Sequence, residues 1–169
     1  VAILTGIAWD HINVFPTFPE YVDTFRKFVD GIEENGTFIY YKHDTNLCEI
    51  ASHARPDIKQ LPYEAYQGDV NMKIFGKHNM ENLQAAALAC EQIGVKSEDF
   101  YRTIATFTGA SNRLELIDEI STNVAYKDFA HSPSKLRATV NAVRERYPEK
   151  QLVAAMELHT FSSLMADFL

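Results

Sequence analysis

The sequence predicts an α/β protein in two parts. Three observations carry that expectation. Short apolar or β-branched runs alternate with longer stretches of helical periodicity. Gly, Pro, Asn and Ser punctuate the boundaries between them. The last elements, over residues 114–156, read strand, helix, strand, which implies a parallel unit with a right-handed crossover.

Val1 to Thr5 is a short buried strand. After a loop, Thr17-Phe18-Pro19-Glu20 has the form of a capping box. Tyr21, Phe25, Phe28 and Ile32 follow at i, i+4, i+7 and i+11, so they form the core face of a helix ending near Asn35-Gly36. Thr37 to Tyr41 is β-branched and aromatic, hence a strand. Residues 43–66 contain Pro56 and Pro62 and support no assignment. Asn71 to Phe75 reads as a strand. Asn79 to Ile93 is a helix rich in Ala and Leu, stopped by Gly94. Ser97 caps the next helix, whose stripe is Phe100, Ile104 and Phe107. Thr108 to Asn112 is a loop and a candidate domain boundary. Leu114 to Ile120 and Asn123 to Phe129 are strand-like. Ser132-Pro133 opens a helix with Leu136, Val140, Val143 and Tyr147 on its buried face. Pro148 ends it, and Gln151 to Met156 is the following strand.

Composition removes several classes of function. A 46% hydrophobic fraction supports a core and excludes a mainly disordered chain. A net charge of −7 argues against nucleic acid as a partner, since phosphate backbones select basic surfaces. No apolar stretch reaches the roughly 20 residues that cross a bilayer, so no membrane partner is expected. Cys48 and Cys90 make no disulfide framework, which suits a reducing compartment. Residues 1–110 carry 9 basic and 15 acidic residues, and residues 111–169 carry 7 and 8, so the acidity lies mostly in the first part. The chain opens on Val1-Ala2-Ile3-Leu4 and closes on Met165 to Leu169 in a helix-like pattern, and both ends read as cut from a longer protein.

Histidines gather at turns and strand ends: Asp10-His11, Lys77-His78-Asn79, Ala130-His131-Ser132 and Leu158-His159. Ligands collect outside the carboxyl ends of strands in open α/β sheets. Helix N-termini favour phosphate there. Each residue also has a plain structural reading. Asp10-His11 can be a local hydrogen bond, His78-Asn79 a helix cap, Asp128 a turn former and Arg113 a surface ion. Zinc spacing (H-E-x-x-H, C-x-x-C), a G-x-S-x-G elbow, a G-x-x-x-x-G-K-[ST] phosphate loop and G-x-G-x-x-G are all missing from these residues.

In order along the chain, four segments carry a resemblance. They are Thr5 to Asn13, Phe75-Gly76-Lys77-His78-Asn79-Met80-Glu81-Asn82, Phe107 to Glu115, and Asp128-Phe129-Ala130-His131-Ser132-Pro133. Glu157-Leu158-His159-Thr160-Phe161-Ser162 is a fifth. Together they resemble the Mur ligases, the ATP-dependent amino-acid and peptide ligases of peptidoglycan synthesis. The nearest branch joins UDP-N-acetylmuramate to alanine or to a tripeptide, with the tripeptide favoured. The resemblance implies a partial central ligase domain, a mixed sheet with helices, over residues 1–110. It implies the start of a Rossmann-like C-terminal domain over residues 111–169. It also implies a cytoplasmic enzyme using ATP and Mg²⁺, with UDP-N-acetylmuramate and an amino acid or peptide as substrates. His11 would be a metal ligand. His78, Asn79 and Asn82 would line the adenine, Arg113 and Asp128 would reach the nucleotide, and His131 and Arg113 would serve the transferring phosphate. The family often has two arginines where this chain has Asn112-Arg113, and an acid where it has Asn13. A folylpolyglutamate-type ligase or a non-catalytic nucleotide-binding module are the alternative readings. As a cut piece, the chain is expected to lack activity alone.

Overall fold

The computed structural model describes residues 1–157. Its elements are β1 (Ala2–Leu4), α1 (Phe18–Asp30), β2 (Thr37–Tyr41), α2 (Thr45–Ser52), β3 (Lys59–Tyr63), α3 (Lys77–Gln92), α4 (Ser97–Ile104), β4 (Glu115–Glu119), β5 (Val124–Lys127) and α5 (Pro133–Arg146). Contacts group them into two units, Val1–Gly68 with His78–Tyr101, and Asp69–Lys77 with the chain from Arg102 on.

The first unit is built on a parallel sheet in the order β1-β2-β3. β2 is central, and Phe38 and Ile39 are fully buried on its opposite faces. Phe38 packs with Val29 of α1, with Ile32 just after it, and with Leu47, Ile50 and Ala51 of α2. Ile39 packs with Tyr63 of β3 and Ala85 of α3. The strand is therefore apolar without alternation, as a parallel strand covered on both faces must be.

Neither α2 nor β3 is legible in residues 43–66. Pro62 sits inside β3, yet β3 is an edge strand. Tyr63 and Lys59 direct their backbone groups toward β2, so the intervening Pro62 faces the free edge, where no N–H is needed. Asp44 starts α2. Its Oδ1 accepts from the Asn46 and Leu47 N–H groups at 2.9 and 3.1 Å. Its Oδ2 accepts from the Ile7 N–H at 2.6 Å, so one carboxylate caps α2 and ties down the loop leaving β1.

Other expectations need correction. The Thr17 box forms: Thr17 Oγ1 accepts from the Glu20 N–H at 3.4 Å, and its hydroxyl donates to Glu20 Oε2 at 2.8 Å. However, α1 stops at Asp30, and Phe28 is 50% exposed. The stripe packed on the core is Phe18, Tyr21, Val22, Phe25, Val29 and Ile32, so Tyr21, Phe25 and Ile32 face it as expected and only the step to Phe28 follows the wrong row. Residues 71–75 form no strand, having no strand to pair with. Ser97 lies inside α4, because the Lys96 carbonyl accepts from the Phe100 N–H at 3.0 Å. Phe107 falls beyond α4 and is 43% exposed.

The Gly94 stop takes the Schellman form: Val95 N–H donates to Cys90 O and Gly94 N–H to Glu91 O, each at 3.0 Å, with Gly94 at φ 86°.

In the second unit, β4 and β5 pair antiparallel with an irregularity between Leu116 and Asp118. Ser132 precedes α5 and Pro133 is its first residue, but Ser132 makes no capping side-chain bond. Leu136, Val140, Val143 and Tyr147 are only half-buried, and Ala142 is the buried residue of α5. Residues 151–157 form no strand, so the described residues contain no strand-helix-strand crossover there. The pattern at Gln151 to Met156 marks an apolar run, and a run becomes a strand only beside a partner.

Asp44→Ala removes a cap and a loop tie together. It should lower the unfolding free energy by about 3 kcal/mol in urea titration, with Asp44→Asn losing less. Nothing lies near a Cβ added at Gly94, so Gly94→Ala should cost about 1 kcal/mol from backbone conformation alone.

Candidate functional site

In the first unit, the parallel sheet brings three chain exits to one edge. β1 leads into the Asp10-His11 loop, β2 into Lys42-His43-Asp44, and β3 into Glu64. α3 runs antiparallel to β3. At its end, Gln92 Oε1 accepts from Lys59 Nζ at 2.8 Å, while at its start Met80 O accepts from the Tyr66 N–H at 3.1 Å. The α3 N-terminus therefore lies at the carboxyl edge of the sheet. It carries His78 and Asn79 in its first turn and Asn82 in its second, one helical step from His78. Gly76 precedes it at φ 88°. So His11 and the His78-Asn79-Asn82 set share the edge where α/β proteins bind ligands.

The His11 loop is tightly made. His11 has φ 54°, and its carbonyl accepts from the Val14 and Phe15 N–H groups at 2.8 and 2.9 Å. Asp10 is 9% exposed, and its Oδ1 accepts from the His11 N–H at 2.8 Å. The His11 side chain is exposed. Among the described residues, no three His, Cys, Asp or Glu side chains gather to hold a metal. Mg²⁺ demands mostly oxygen ligands in an octahedron. His11 can offer one nitrogen, so the described residues make part of a magnesium site at most.

Beneath α3 lies a polar group that sequence reading missed. Tyr41 and Tyr63 are register partners at the ends of β2 and β3, with ring centroids 5.7 Å apart. Burial, with the Glu81 carboxylate of α3 beside it, pushes the ionisation of Tyr41 up to about 12. Tyr63 is 3% exposed, its hydroxyl has no hydrogen-bond partner, and burial raises its pKa further. The signal was available in the spacing of Glu81 from Ala85 and Leu88, which puts an acid on the apolar stripe.

The second unit holds Arg113, Asp128 and His131. Arg113 is exposed on a turn between two residues with positive φ, Asn112 at 56° and Leu114 at 45°. Such conformations persist only when surroundings over-determine them. Here two carboxylates do so. Glu115 Oε2 accepts from the Asn112 N–H at 2.7 Å and the Ser111 hydroxyl at 3.2 Å, which hold its pKa below the usual value. Asp128 Oδ2 accepts from the Leu114 N–H at 2.8 Å, and its Oδ1 from the Ala130 N–H at 2.7 Å. Asp128 is thus a loop pin whatever else it contacts. His131 lies just before α5. Its Nδ1 is 2.9 Å from the Phe129 carbonyl, so that nitrogen carries the proton. A cleft of about 570 Å³ opens beside Asp128, lined by Tyr126, Leu136, Val140 and Val143. His159, with the segment 158–162, lies outside the described residues.

Asp128→Ala leaves two backbone donors without their acceptor. It should cost about 2 kcal/mol and speed amide exchange at Leu114 and Ala130 together, while Asp128→Asn, keeping one acceptor, should spare one of the two.

No family model matches the chain. A UDP-N-acetylmuramate–L-alanine ligase of Roseiflexus sp. is 25% identical over 209 aligned positions, covering 98% of this chain and 44% of that protein. The chain thus spans less than half the length of that curated relative. Among solved structures, MurF from Acinetobacter baumannii matches with a TM-score of 0.67 at 18% identity, covering 82% of this chain and 36% of that one. The apo form of Lactobacillus casei folylpolyglutamate synthetase matches with a TM-score of 0.64 at 16% identity, covering 86% and 42%. No described helix is long and apolar enough to cross a membrane. Over nearly all its residues the chain is similar in sequence to UDP-N-acetylmuramate–L-alanine ligases, and its fold is similar to that of MurF.

Proposed function

We propose that this chain is part of an ATP-dependent ligase that joins an amine to the carboxylate of UDP-N-acetylmuramate. The observation that carries this is the meeting of the His11 loop and the α3 N-terminus at one edge of a parallel sheet, with the family's motif residues on both. Residues 1–110 would be the later part of the central ATP-binding domain, and residues 111–169 the start of the C-terminal one.

ATP, when bound, supplies the phosphoryl group that activates the carboxylate as an acyl phosphate for attack by the amine. The chain's own work is binding and orientation. Asn79 and Asn82 each offer a donor and an acceptor to a base edge, and His78 a ring beside them. Arg113, exposed on its turn, would offer a cation to phosphate oxygens. Asp128 would sit on the ribose side. His131, just before α5, would sit near the transferring phosphate. His11 would give one ligand to Mg²⁺, with oxygen ligands from elsewhere, and no step is drawn through that ion. Catalysis of this kind rests on positioning and electrostatic stabilisation.

For the acceptor, alanine is supported by the name of the aligned relative. The tripeptide favoured by the motifs gains nothing from it. Folate with glutamate is the second reading, supported by the likeness of fold to folylpolyglutamate synthetase.

The test is phosphate release by the longer protein encoding this chain, with UDP-N-acetylmuramate plus alanine, the same plus tripeptide, and folate plus glutamate. Turnover with alanine is expected, and turnover with folate alone would overturn the reading. In that protein, His11→Ala should lower kcat by about tenfold or more with a smaller change in nucleotide affinity. An unchanged rate at saturating magnesium would remove His11 from the metal role.

A further inference from the structure

Residues 69–77 leave the first unit after Gly68, join the second, and return to the first at His78, the second residue of α3. Val70, Met72 and Ile74 are half-buried while Asn71 and Lys73 are exposed, so the strand-like alternation here marks packing without strand pairing. Ile74 Cγ2 lies 3.8 Å from where a side chain at Gly109 would begin. The Phe75 ring meets the Tyr126 ring of β5 edge to face, with centroids 5.5 Å apart and planes at 72°. The Arg146 guanidinium, at the end of α5, lies 5.8 Å from the centroid of the same Phe75 ring. Such aromatic and cation–π contacts are directional as well as apolar. The platform that receives Phe75 is itself tied. The Tyr126 and Tyr147 hydroxyls are 2.6 Å apart, which joins β5 to the chain at the close of α5. Neither Phe75, Tyr126 nor Arg146 has a part in the nucleotide contacts proposed above.

We propose that Phe75 is a positioning residue: its ring, held by Tyr126 and Arg146, anchors the chain that enters the first turn of α3, which carries His78 and Asn79. Three residue steps separate Phe75 from His78, so their Cα atoms lie at most about 11 Å apart however the chain bends. Gly76 turns within that span at φ 88°, a conformation that residues with a Cβ rarely hold. The first turn of a helix has N–H groups without helical partners and frays readily, so it gains most from an anchor just before it. Within the first unit the same turn is held by the Tyr66 N–H, which donates to the Met80 carbonyl at 3.1 Å. What the anchor serves rests on the nucleotide reading above; the anchor itself does not.

Exchange and kinetics separate the two claims, both measured in the longer protein. Phe75→Ala should speed hydrogen exchange several-fold at Glu81, Asn82 and Leu83, the first amides able to bond to a carbonyl of α3 itself, and leave Leu88 to Gln92 unchanged. Phe75→Tyr keeps the ring and should exchange as the wild type does. Arg146→Met keeps an apolar stem but drops the charge; it should reproduce part of the effect, and it decides the matter if Phe75→Ala fails to fold. No rise in α3, a rise confined to β5 and α5, or a uniform rise across the protein overturns the anchor. Phe75→Ala should also raise KM for ATP about three- to tenfold, the range one aromatic pair spans, with kcat within about twofold. An unchanged KM beside faster exchange in α3 overturns the positioning role and leaves a merely structural contact. Wild-type protein that fails to turn over ATP would sink the ligase reading, while the exchange result still decides the anchor.

Discussion

Everything at the carboxyl edge of the first sheet depends on β2 being covered on both faces. A strand buried on both sides needs helices above and below, and parallel neighbours need crossovers long enough to hold them. α1 and α2 meet one face at Phe38, and α3 meets the other at Ile39. Because the strands are parallel, every exit from the sheet emerges at the same end. Because α3 returns antiparallel to β3, its N-terminus comes back to that end as well. The convergence of His11 with His78, Asn79 and Asn82 is thus a consequence of how a parallel sheet buries itself.

Both units use the same device to hold their loops. A carboxylate accepts backbone N–H groups from two segments at once: Asp44 joins the α2 start to Ile7, and Asp128 joins Leu114 to Ala130. Glu115 accepts one backbone N–H, from Asn112, and the neighbouring Ser111 hydroxyl. Charge-assisted bonds are roughly twice as strong as neutral ones, so a few can hold short loops that bury little apolar surface. The positive-φ turn around Arg113 is held in this way. It carries Arg113 exposed between two residues of positive φ.

The elements read correctly in advance are those with a local cause. Thr37 to Tyr41 is bounded by Gly36 and consists of residues that suit a pleated surface, and it forms β2 with those limits. The Thr17 box, the Gly94 stop and the Ser132-Pro133 start act within one helical turn, and each appears in place. The errors have a non-local cause. Asn71 to Phe75 and Gln151 to Met156 have strand-like residues, but no strand pairs with them among the described residues. Lys59 to Tyr63 has a proline and yet pairs with β2, because its position at the sheet edge turns Pro62 outward. Phe28 matches a helical period and lies on the wrong row.

The site divides along the same line. Sequence by itself determined which residues carry the family's motifs and where each lies relative to its own turn or helix start, since those depend on neighbours a few positions away. Only the tertiary structure decided that β1, β3 and α3 share one edge, that Asp128 meets Leu114 as well as its own loop, and that Glu81 lies beside Tyr41. The reason is that Leu114 lies 14 positions from Asp128 and Glu81 lies 40 from Tyr41, and no local propensity encodes which distant group a buried or strained one will meet.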